Sequence, residues 1–402
     1  MTVRVSKPEF NLREKLTELD KPTGIKGNEL MRSETSQEAR DLVSAGRKNL
    51  IINGAMQIAQ RGTSSTSAIS GGTFVCDRFK TGGNGAIGAV TVSQTTTNLP
   101  AGFDHALRYE CTTADTSLAA GDHLGIMYCP ESQDLARIAK GTSSAKPITL
   151  SFYVRSNVRR TFVVELTDSS NSRHINFQKI VNATDTWERM VINIPADASG
   201  SFGTGNGKGA ELNWWLAAGS TYTSGSIQNA WTPRSNANIM VGTQNLNDTV
   251  GNFIEITGVQ LEVGRNATEF EYRSHAEELA LCQRYFAIFP GRSGGIPFWQ
   301  GYMGASYGYC SIFIPFNMRV VPTPTDATTG TSSSSGNIYD MQGVNIKGNF
   351  AGNGTVTLSC GGYAPSGLGL IMNFGNHNTG DKDGVVASWN GATPGIFLNA
   401  EL

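Results

Sequence analysis

The sequence predicts a mainly β protein, with an N-terminal helical arm followed by two β-sandwich domains that a short helix links. Three observations lead to this fold class. The 402 residues include 47 glycines and only 16% charged residues, a composition typical of many short strands joined by turns. Strand-like runs recur along most of the chain. The length exceeds that of a usual single core, so more than one folded unit is expected.

The arm is assigned to residues 1–48, because their composition differs from that of the remaining chain. They hold ten Lys or Arg and eight Asp or Glu, and they lack a strand pattern. Pro8 suits the first turn of a helix, and leucines follow at helical spacing. A second helix begins at a capping box formed by Thr35 and Glu38. The apolar edges of the two helices comprise Phe10, Leu12, Leu16, Leu19, Leu42 and Val43.

Helices of this length are marginal in water, so these apolar edges need a surface that covers them. Two alternatives stay open. The arm docks onto another protein of the same assembly, in which case the six apolar residues are its anchoring residues. In the other alternative, the arm packs back on its own body or forms the neck of a trimer.

The first β-sandwich is predicted over residues 49–273. Its opening run contains a short apolar strand, Leu50 to Ile52, and a turn at Asn53 and Gly54. Clear strand patterns follow at residues 148–156, 161–167, 187–195 and 253–264.

Alternation within these strands predicts one buried and one solvated face. In residues 148–156 the apolar positions are Ile148, Leu150, Phe152 and Val154, and between them lie Thr149, Ser151, Tyr153 and Arg155. The segment 196–252 is rich in turn residues, and we expect it to carry edge strands. At least one of the adjacent Trp214 and Trp215 is expected to be exposed, because neighbouring side chains of an extended segment point to opposite faces.

The linking helix is predicted over residues 274–286, where Ser274 and Glu277 form a capping box and Leu279, Cys282 and Phe286 share a stripe. Residues 287–402 are predicted to form a smaller C-terminal β-sandwich, the tip domain. Its strand patterns are SIFIPFNMRVVPTPT, GTVTLSC and LGLIMNF.

The tip domain begins with a group of aromatic residues among glycines. Since aromatic ring faces can stack on sugar rings, the candidate glycan-binding residues are Trp299, Tyr302, Tyr307 and Tyr309. Alternating aromatic residues on strands are more often core residues or cross-strand pairs, and this alternative is the favoured one for each residue.

Several classes of function lack the expected patterns. The formal net charge is -1 and basic residues are not clustered with aromatics, so nucleic-acid binding is not expected. The five histidines accompany no nucleophile motif, so we predict no catalytic residue, no metal site and no cofactor. A glycosidase carboxylate pair can be assembled from distant loops, but the fixed-period repeat of depolymerase fibres is missing. The six dispersed cysteines are expected to be free, mostly buried thiols.

No apolar run approaches the roughly 20 residues that span a bilayer, and the first residues hold no apolar signal region. We therefore expect synthesis in a cytoplasm and no membrane insertion.

We find two stretches that resemble a known family. They are NLIINGAMQIAQRGTS with the later CDRFK, and ITGVQLEVGRNATEFEYRSHAEELALCQRYF. Both are similar to the jelly-roll, carbohydrate-binding-like domain of phage tail-fibre and virion proteins, over residues 49–286. In that family the element matched by Asp77, Arg78 and Phe79 is architectural. The arm resembles a module shared by structural proteins of marine, cyanophage-like phages, and FIPFNMRVVPTPT resembles a strand of fibre tip domains.

The resemblance implies a non-enzymatic structural protein of the virion, of the fibre, spike or surface-decoration kind. Residues 1–48 are then expected to anchor it to capsid, tail or adaptor proteins, while the β-domains project outward for host attachment. We expect a homotrimer, because a closed assembly covers edge strands. The alternatives are a module that binds host surface glycan directly and a glycan-cleaving depolymerase.

Overall fold

The computed structural model describes Arg32 and residues 47–402, apart from residues 68–71, 86, 183, 290–298, 304–306, 314–316, 327–332, 335–336, 341–344, 348–355, 362–368, 376–383 and 389–395. Within residues 299–313 and 324–396 the backbone alone is described. The chain divides into two compact units, Met1–Lys48 and Asn49–Leu402. The predicted arm and its six apolar residues lie outside the described residues, so its helices stay a prediction.

A β-sandwich occupies the first part of the unit that begins at Asn49. Its strands are β1 (Ser64–Ser67), β2 (Phe79–Asn84), β3 (Ala89–Thr95), β4 (Ala106–Thr113), β5 (His123–Tyr128), β6 (Ile148–Ser156), β7 (Arg160–Asp168), β8 (Arg173–Val181), β9 (Glu188–Ile194), β10 (Ala210–Ala218), β11 (Thr232–Pro233) and β12 (Phe253–Val263). Sheet 1 has the order β1-β3-β4-β12-β6-β9, and sheet 2 has the order β11-β8-β7-β10-β5-β2. One cluster of buried side chains from both sheets fills the space between them. The predicted mainly β, sandwich-like fold is confirmed for this part of the chain.

The four strands with the clearest sequence pattern form where they are predicted. The bounds of β6 coincide with residues 148–156. Those of β7 and β9 differ from the prediction by one residue at each end, and β12 ends one residue earlier than predicted. Their apolar positions, such as Leu150 and Phe152, belong to the buried cluster between the sheets. The period of two therefore identifies both the strands and the side that faces the core.

The prediction of a solvated outer face on β6 is wrong, because Thr149, Ser151 and Arg155 are buried on that side. Arg155 lies opposite Glu255 of β12, which in turn lies opposite Arg108 of β4. Both guanidinium groups contact the Glu255 carboxylate at 2.7 Å, and the side chain of Glu255 is 0% exposed. Because each charge on this row has a partner of opposite charge, charged residues can be buried on the outer face.

The predicted strand from Leu50 to Ile52 is also wrong, although its residues are buried. The amide of Ile52 donates to the Tyr128 hydroxyl at 2.9 Å. Arg273 donates to two backbone carbonyls of the opening segment, at 2.6 and 2.9 Å. Side chains thus form hydrogen bonds with several backbone groups of this segment, and the segment does not pair with a neighbouring strand. The predicted turn follows, with Asn53 in the left-handed region at φ 61°.

The expected edge strand in residues 196–252 is confirmed as the two-residue β11, but the segment also contributes the inner strand β10. Strand β10 lies inside sheet 2, between β7 and β5. Leu212, Trp214 and Leu216 alternate along β10 and belong to the core cluster. The segments on either side of β10 are rich in turn residues, and for that reason the alternation of apolar residues within β10 was not recognised as an inner strand in the sequence.

The remaining strands are β13 (Phe286–Phe289), β14 (Trp299–Met303), β15 (Tyr307–Phe313), β16 (Thr323–Asp326), β17 (Ser333–Ser334), β18 (Asn337–Asp340), β19 (Asn345–Lys347), β20 (Val356–Gly361), β21 (Gly369–Gly375), β22 (Gly384–Ser388) and β23 (Ile396–Asn399). They form a three-stranded sheet, β13-β23-β16, and an eight-stranded sheet, β17-β20-β21-β15-β14-β22-β18-β19. The runs GTVTLSC and LGLIMNF are confirmed as β20 and β21. The single strand predicted from SIFIPFNMRVVPTPT is divided between β15 and β16.

The helices of the described residues are short. They are α1 (Ser220–Thr223) and α2 (His275–Gln283), with 3-10 turns at Ser132–Ile138, Asn236–Asn238 and Leu246–Asp248. The predicted cap of α2 is confirmed, because the Ser274 side chain accepts a hydrogen bond from the Glu277 amide at 3.3 Å. Cys282 packs with Ile52, Ile58 and Tyr285, and Leu279 is half-buried against them. The role of α2 as a linker between two domains stays a prediction.

The Asp77-Arg78-Phe79 element has structural contacts, as the resemblance implies. Phe79 belongs to the core cluster. The Arg78 side chain is 1% exposed, lies 3.4 Å from the centre of the Tyr285 ring, and pairs with the carboxylate of Glu401. Burial raises the pKa of Asp77 to about 6, and Arg61 lies 3.7 Å from its carboxylate.

Residues 400–402 are held against this element by several polar contacts. Arg319 donates to the carbonyl oxygens of Ala400 and Glu401 at 2.8 and 3.0 Å. The Ala400 amide donates to the Tyr285 carbonyl at 2.7 Å. Arg61 contacts the Glu401 carboxylate at 3.3 Å. The buried Arg78–Glu401 pair therefore joins the start of β2 to the residues that follow β23.

The expectation of free, buried thiols is confirmed for Cys76, Cys111, Cys129 and Cys282. The side chains of Cys310 and Cys360 lie outside the described part of the chain. None of the helices in that part has the length and apolar character needed to span a membrane.

Candidate functional site

The outer face of sheet 2 carries polar side chains from four neighbouring strands. Glu165 and Thr167 of β7 point away from the core, because they alternate with the core residues Val164 and Leu166. Residues directly opposite one another on paired strands share a face. The registers place Asn213 opposite Glu165, His174 opposite Thr167, and Thr232 opposite His174. We call Glu165, Thr167, His174, Asn213 and Thr232 the polar cluster.

Glu165 is the charged centre of the polar cluster and is fully buried. Its carboxylate accepts hydrogen bonds from His174 Nδ1 at 2.9 Å, Trp215 Nε1 at 3.0 Å and Arg234 Nε at 3.1 Å. Burial by itself would raise the pKa of Glu165, but the hydrogen bond from His174 and the charge of Arg234 outweigh it and hold the pKa below its ordinary value. Since an ionised carboxylate only accepts, the proton of this hydrogen bond is on His174 Nδ1.

The other polar atoms of the cluster are buried without a hydrogen-bond partner among the described residues. They are Thr167 Oγ1, His174 Nε2, Asn213 Oδ1, Asn213 Nδ2 and Thr232 Oγ1. A buried polar group without a partner costs about 1–3 kcal/mol. The polar cluster thus brings together five buried polar atoms whose hydrogen bonding is not completed by the described residues.

One side of the polar cluster is covered by the segment that follows β10. Ile239 and Met240 pack on Val163 and Trp215 of the outer face. This cover makes the prediction of an exposed tryptophan wrong, since Trp214 is 0% and Trp215 4% exposed. The two indoles do point to opposite faces of β10, as an extended segment requires, but both faces are covered.

The opposite side of the face, towards β5 and β2, is more open. Met127 of β5 lies opposite Asn213, and it is half-buried, as are Glu211 and Gly82. Gly125 is required here, because a Cβ at that position would lie 2.7 Å from the Trp215 ring. The surface beside the polar cluster is therefore formed by the side chain of Met127 and by Gly82 and Gly125.

The polar cluster does not have the carboxylates of a glycosidase. A general acid of such an enzyme needs a raised pKa, whereas the pKa of Glu165 is lowered and its oxygens accept three hydrogen bonds. A second carboxylate, Glu211, lies opposite Thr167 and forms an ion pair with Lys208. The arrangement is suited to binding a polar ligand rather than to acid catalysis.

The four candidate residues of the tip domain lie in two paired strands. Trp299 and Tyr302 belong to β14, Tyr307 and Tyr309 belong to β15, and the register places Tyr302 opposite Tyr309. The side chains of all four lie outside the described part of the structure. Their role in glycan binding therefore stays a prediction, as does the alternative that they are core residues.

None of the residues of the polar cluster was singled out from the sequence. The alternation of TFVVELT and RHINFQ does place Glu165, Thr167, His174 and Asn176 on the non-core face, and that was the available signal. Strand pairing decides which of these polar residues meet. The described residues contain no group of three or more His, Cys, Asp or Glu side chains arranged to hold a metal ion.

No protein-family model matches the chain, and no curated protein matches it. Among solved structures, the enzymatically active domain of tailspike protein 4 from bacteriophage CBA120 is 11% identical, with a TM-score of 0.29 over 54% of this chain and 21% of that one. The carbohydrate-binding module TmCBM61, in complex with β-1,4-galactotriose, is 8% identical, with a TM-score of 0.29 over 55% of this chain and 100% of that one.

A family 11 carbohydrate-binding module from Clostridium thermocellum is 10% identical, with a TM-score of 0.25 over 52% of this chain and 99% of that one. The chain thus matches about a fifth of the tailspike domain's length. Identities and scores of this size assign no function.

Proposed function

We propose that the chain is a non-enzymatic glycan-binding protein whose β1–β12 sandwich binds a glycan on the outer face of sheet 2. The observation that carries this proposal is the polar cluster, in which five buried polar atoms lack partners among the described residues. They comprise hydroxyls, an amide and an imidazole nitrogen, so both donors and acceptors are offered. Sugar hydroxyls both donate and accept, and they match such a mixture better than an apolar or a singly charged ligand does.

The proposal is tested by replacing Asn213 with Leu. Removal of an amide that has no protein partner is expected to leave the unfolding free energy unchanged or to raise it, because no hydrogen bond is lost. Binding of the glycan is expected to weaken roughly tenfold or more, since each hydrogen bond lost to the ligand costs about 1–3 kcal/mol. The measurements are binding to an array of bacterial surface polysaccharides and urea unfolding, on the full chain.

Asn266→Leu serves as the matched control, because Asn266 is exposed after the end of β12 of sheet 1. Its binding profile should equal that of the unchanged protein. Equal binding by Asn213→Leu and the unchanged protein, or no glycan bound by either, would refute the proposal.

We further propose that the glycan-binding body is carried by a phage virion, as a homotrimer anchored through residues 1–48. Two observations support this second part: the sequence resemblance, and the division of the chain into separate compact units at Lys48 and Asn49. A body that begins at Asn49 can project from a particle while the arm contacts capsid, tail or adaptor proteins. Binding of host glycan at the polar cluster would then mediate adsorption of the particle to the host.

Deletion of residues 1–48 tests the anchoring role. The shortened protein should unfold at the same denaturant concentration as the full chain, and it should be missing from purified particles. Replacing Leu12, Leu16 and Leu19 together by Asp should also prevent incorporation, because burial of a charge without a partner is unfavourable, while replacement of the same three by Met should not. Normal incorporation of the shortened protein, measured by immunoblot of particles, would refute the anchoring role.

A further inference from the structure

A cleft of about 710 Å³ lies beside the outer edge of β2 and is distinct from the polar cluster. Its walls come from the residues before β1, the residues on either side of the start of β2, and residues 319–323 and 399–402. Three cationic side chains line it: Arg61, Lys80 and Arg319.

The side-chain charges that line the cleft do not balance. Glu401 is the acidic side chain among the lining residues, and it already pairs with Arg78 and Arg61. Arg319 uses three N–H groups on backbone carbonyls, those of Ala400, Glu401 and Asn206. Within the described residues, neither Arg319 nor Lys80 has a carboxylate oxygen within ion-pair distance. Lys80 and Arg319 are therefore two cations of the cleft without a side-chain ion pair among the described residues.

The rest of the lining is polar and uncharged. It includes the hydroxyls of Ser64, Ser65, Thr73 and Thr323 and the amide of Asn399. Phe74 also lines the cleft, but the Arg61 guanidinium lies over its ring, 4.6 Å from the centre. The cleft thus combines cations for an acidic group with hydroxyls and an amide for a hydroxyl-rich body. Its volume is within the range of about 300–1,000 Å³ of small-molecule sites.

We infer that this cleft is a second binding site, for an oligosaccharide that carries acidic groups. The acidic group, a carboxylate or a sulfate, contacts Lys80 and Arg319, and the sugar hydroxyls contact the serine, threonine and asparagine side chains. The inference rests on the proposed function in taking the protein to be a glycan binder. The inferred site differs from the proposed one on sheet 2 in its location and in the charge of the ligand that it binds.

The test compares trigalacturonate with galactotriose, two trisaccharides that differ in their carboxylates, by calorimetric titration of the full chain. Trigalacturonate should bind, more weakly as salt is added, and galactotriose should not bind in the cleft. Lys80→Gln should weaken trigalacturonate binding roughly tenfold, because a hydrogen bond to a charged group contributes about 1.5–3 kcal/mol. Lys146→Gln is the matched control, since Lys146 is exposed and does not line the cleft.

Equal affinity for the two trisaccharides, no binding of trigalacturonate, or no effect of Lys80→Gln would overturn the inference. Displacement by inorganic phosphate at an equal concentration would also overturn it, because the site would then take a simple anion. A sulfated galactotriose that binds equally well would support it and identify the shared acidic chemistry. Asn213→Leu separates the two proposals, since it should weaken binding on sheet 2 and leave trigalacturonate binding unchanged.

Discussion

Replacing Glu401 by Gln should lower the unfolding free energy by about 3–5 kcal/mol, because it leaves the buried Arg78 without its anionic partner. The Arg78 side chain is 1% exposed, so water cannot replace the lost carboxylate. Arg61 loses the same partner, and among the described residues it keeps one carboxylate, Asp77, at 3.7 Å. The measurement is urea unfolding of the full chain, followed by tryptophan fluorescence.

Glu110→Gln is the matched control for this change. Glu110 also pairs with an arginine, Arg108, but its side chain is 36% exposed and Arg108 keeps Glu255. Exposed ion pairs contribute about 0–1 kcal/mol, so this variant should unfold close to the unchanged protein. Similar small effects of both substitutions would mean that the Arg78–Glu401 pair does not stabilise the fold.

Replacing Trp214 by Ala should lower the unfolding free energy by about 3–5 kcal/mol, because it leaves a cavity between the two sheets. The Trp214 ring packs edge-on against Phe152 at a centroid distance of 5.7 Å and near Phe79 at 6.4 Å. These contacts join sheet 1 to the middle of sheet 2, and no smaller side chain fills that space.

The control for Trp214 is Trp187→Ala. Trp187 is half-buried at the start of β9, and its indole donates to the Asn98 carbonyl. Its loss should cost about 1–2 kcal/mol, from one hydrogen bond, partial burial of the indole and the Arg155 guanidinium 5.8 Å from its ring. The urea midpoint of each variant is compared with that of the unchanged protein. A Trp214→Ala variant that unfolds like Trp187→Ala would place Trp214 outside the core.

Alternation in the sequence predicted β6, β7, β9 and β12 well, because it follows directly from the geometry of a strand. It did not predict what covers the outer faces. Arg155 is buried because it forms an ion pair across the sheet with Glu255, which lies one hundred residues further along the chain. Trp215 is buried because residues after β10 fold over it. Alternation gives the direction of a side chain, whereas its burial depends on which distant segment packs on it.

The polar cluster escaped prediction for the same reason. Glu165 and His174 are only nine residues apart, but Glu165 meets the Trp215 indole fifty residues later. Each residue is unremarkable on its own strand. The cluster exists only once β7, β8, β10 and β11 are neighbours, and the pairing of strands is decided by the whole chain.

The Arg78–Glu401 pair also has a consequence for biosynthesis, because its members are 323 positions apart in the sequence. Ribosomes add about 5–20 residues per second, so Arg78 is made roughly 15–65 s before Glu401. Throughout that interval the guanidinium lacks its anionic partner and must remain solvated. The sandwich can therefore pair its middle strands during translation, but the β2 end closes only after residue 401 has been added. A ribosome that stalls before that codon leaves a nascent chain with this end open to proteases and chaperones.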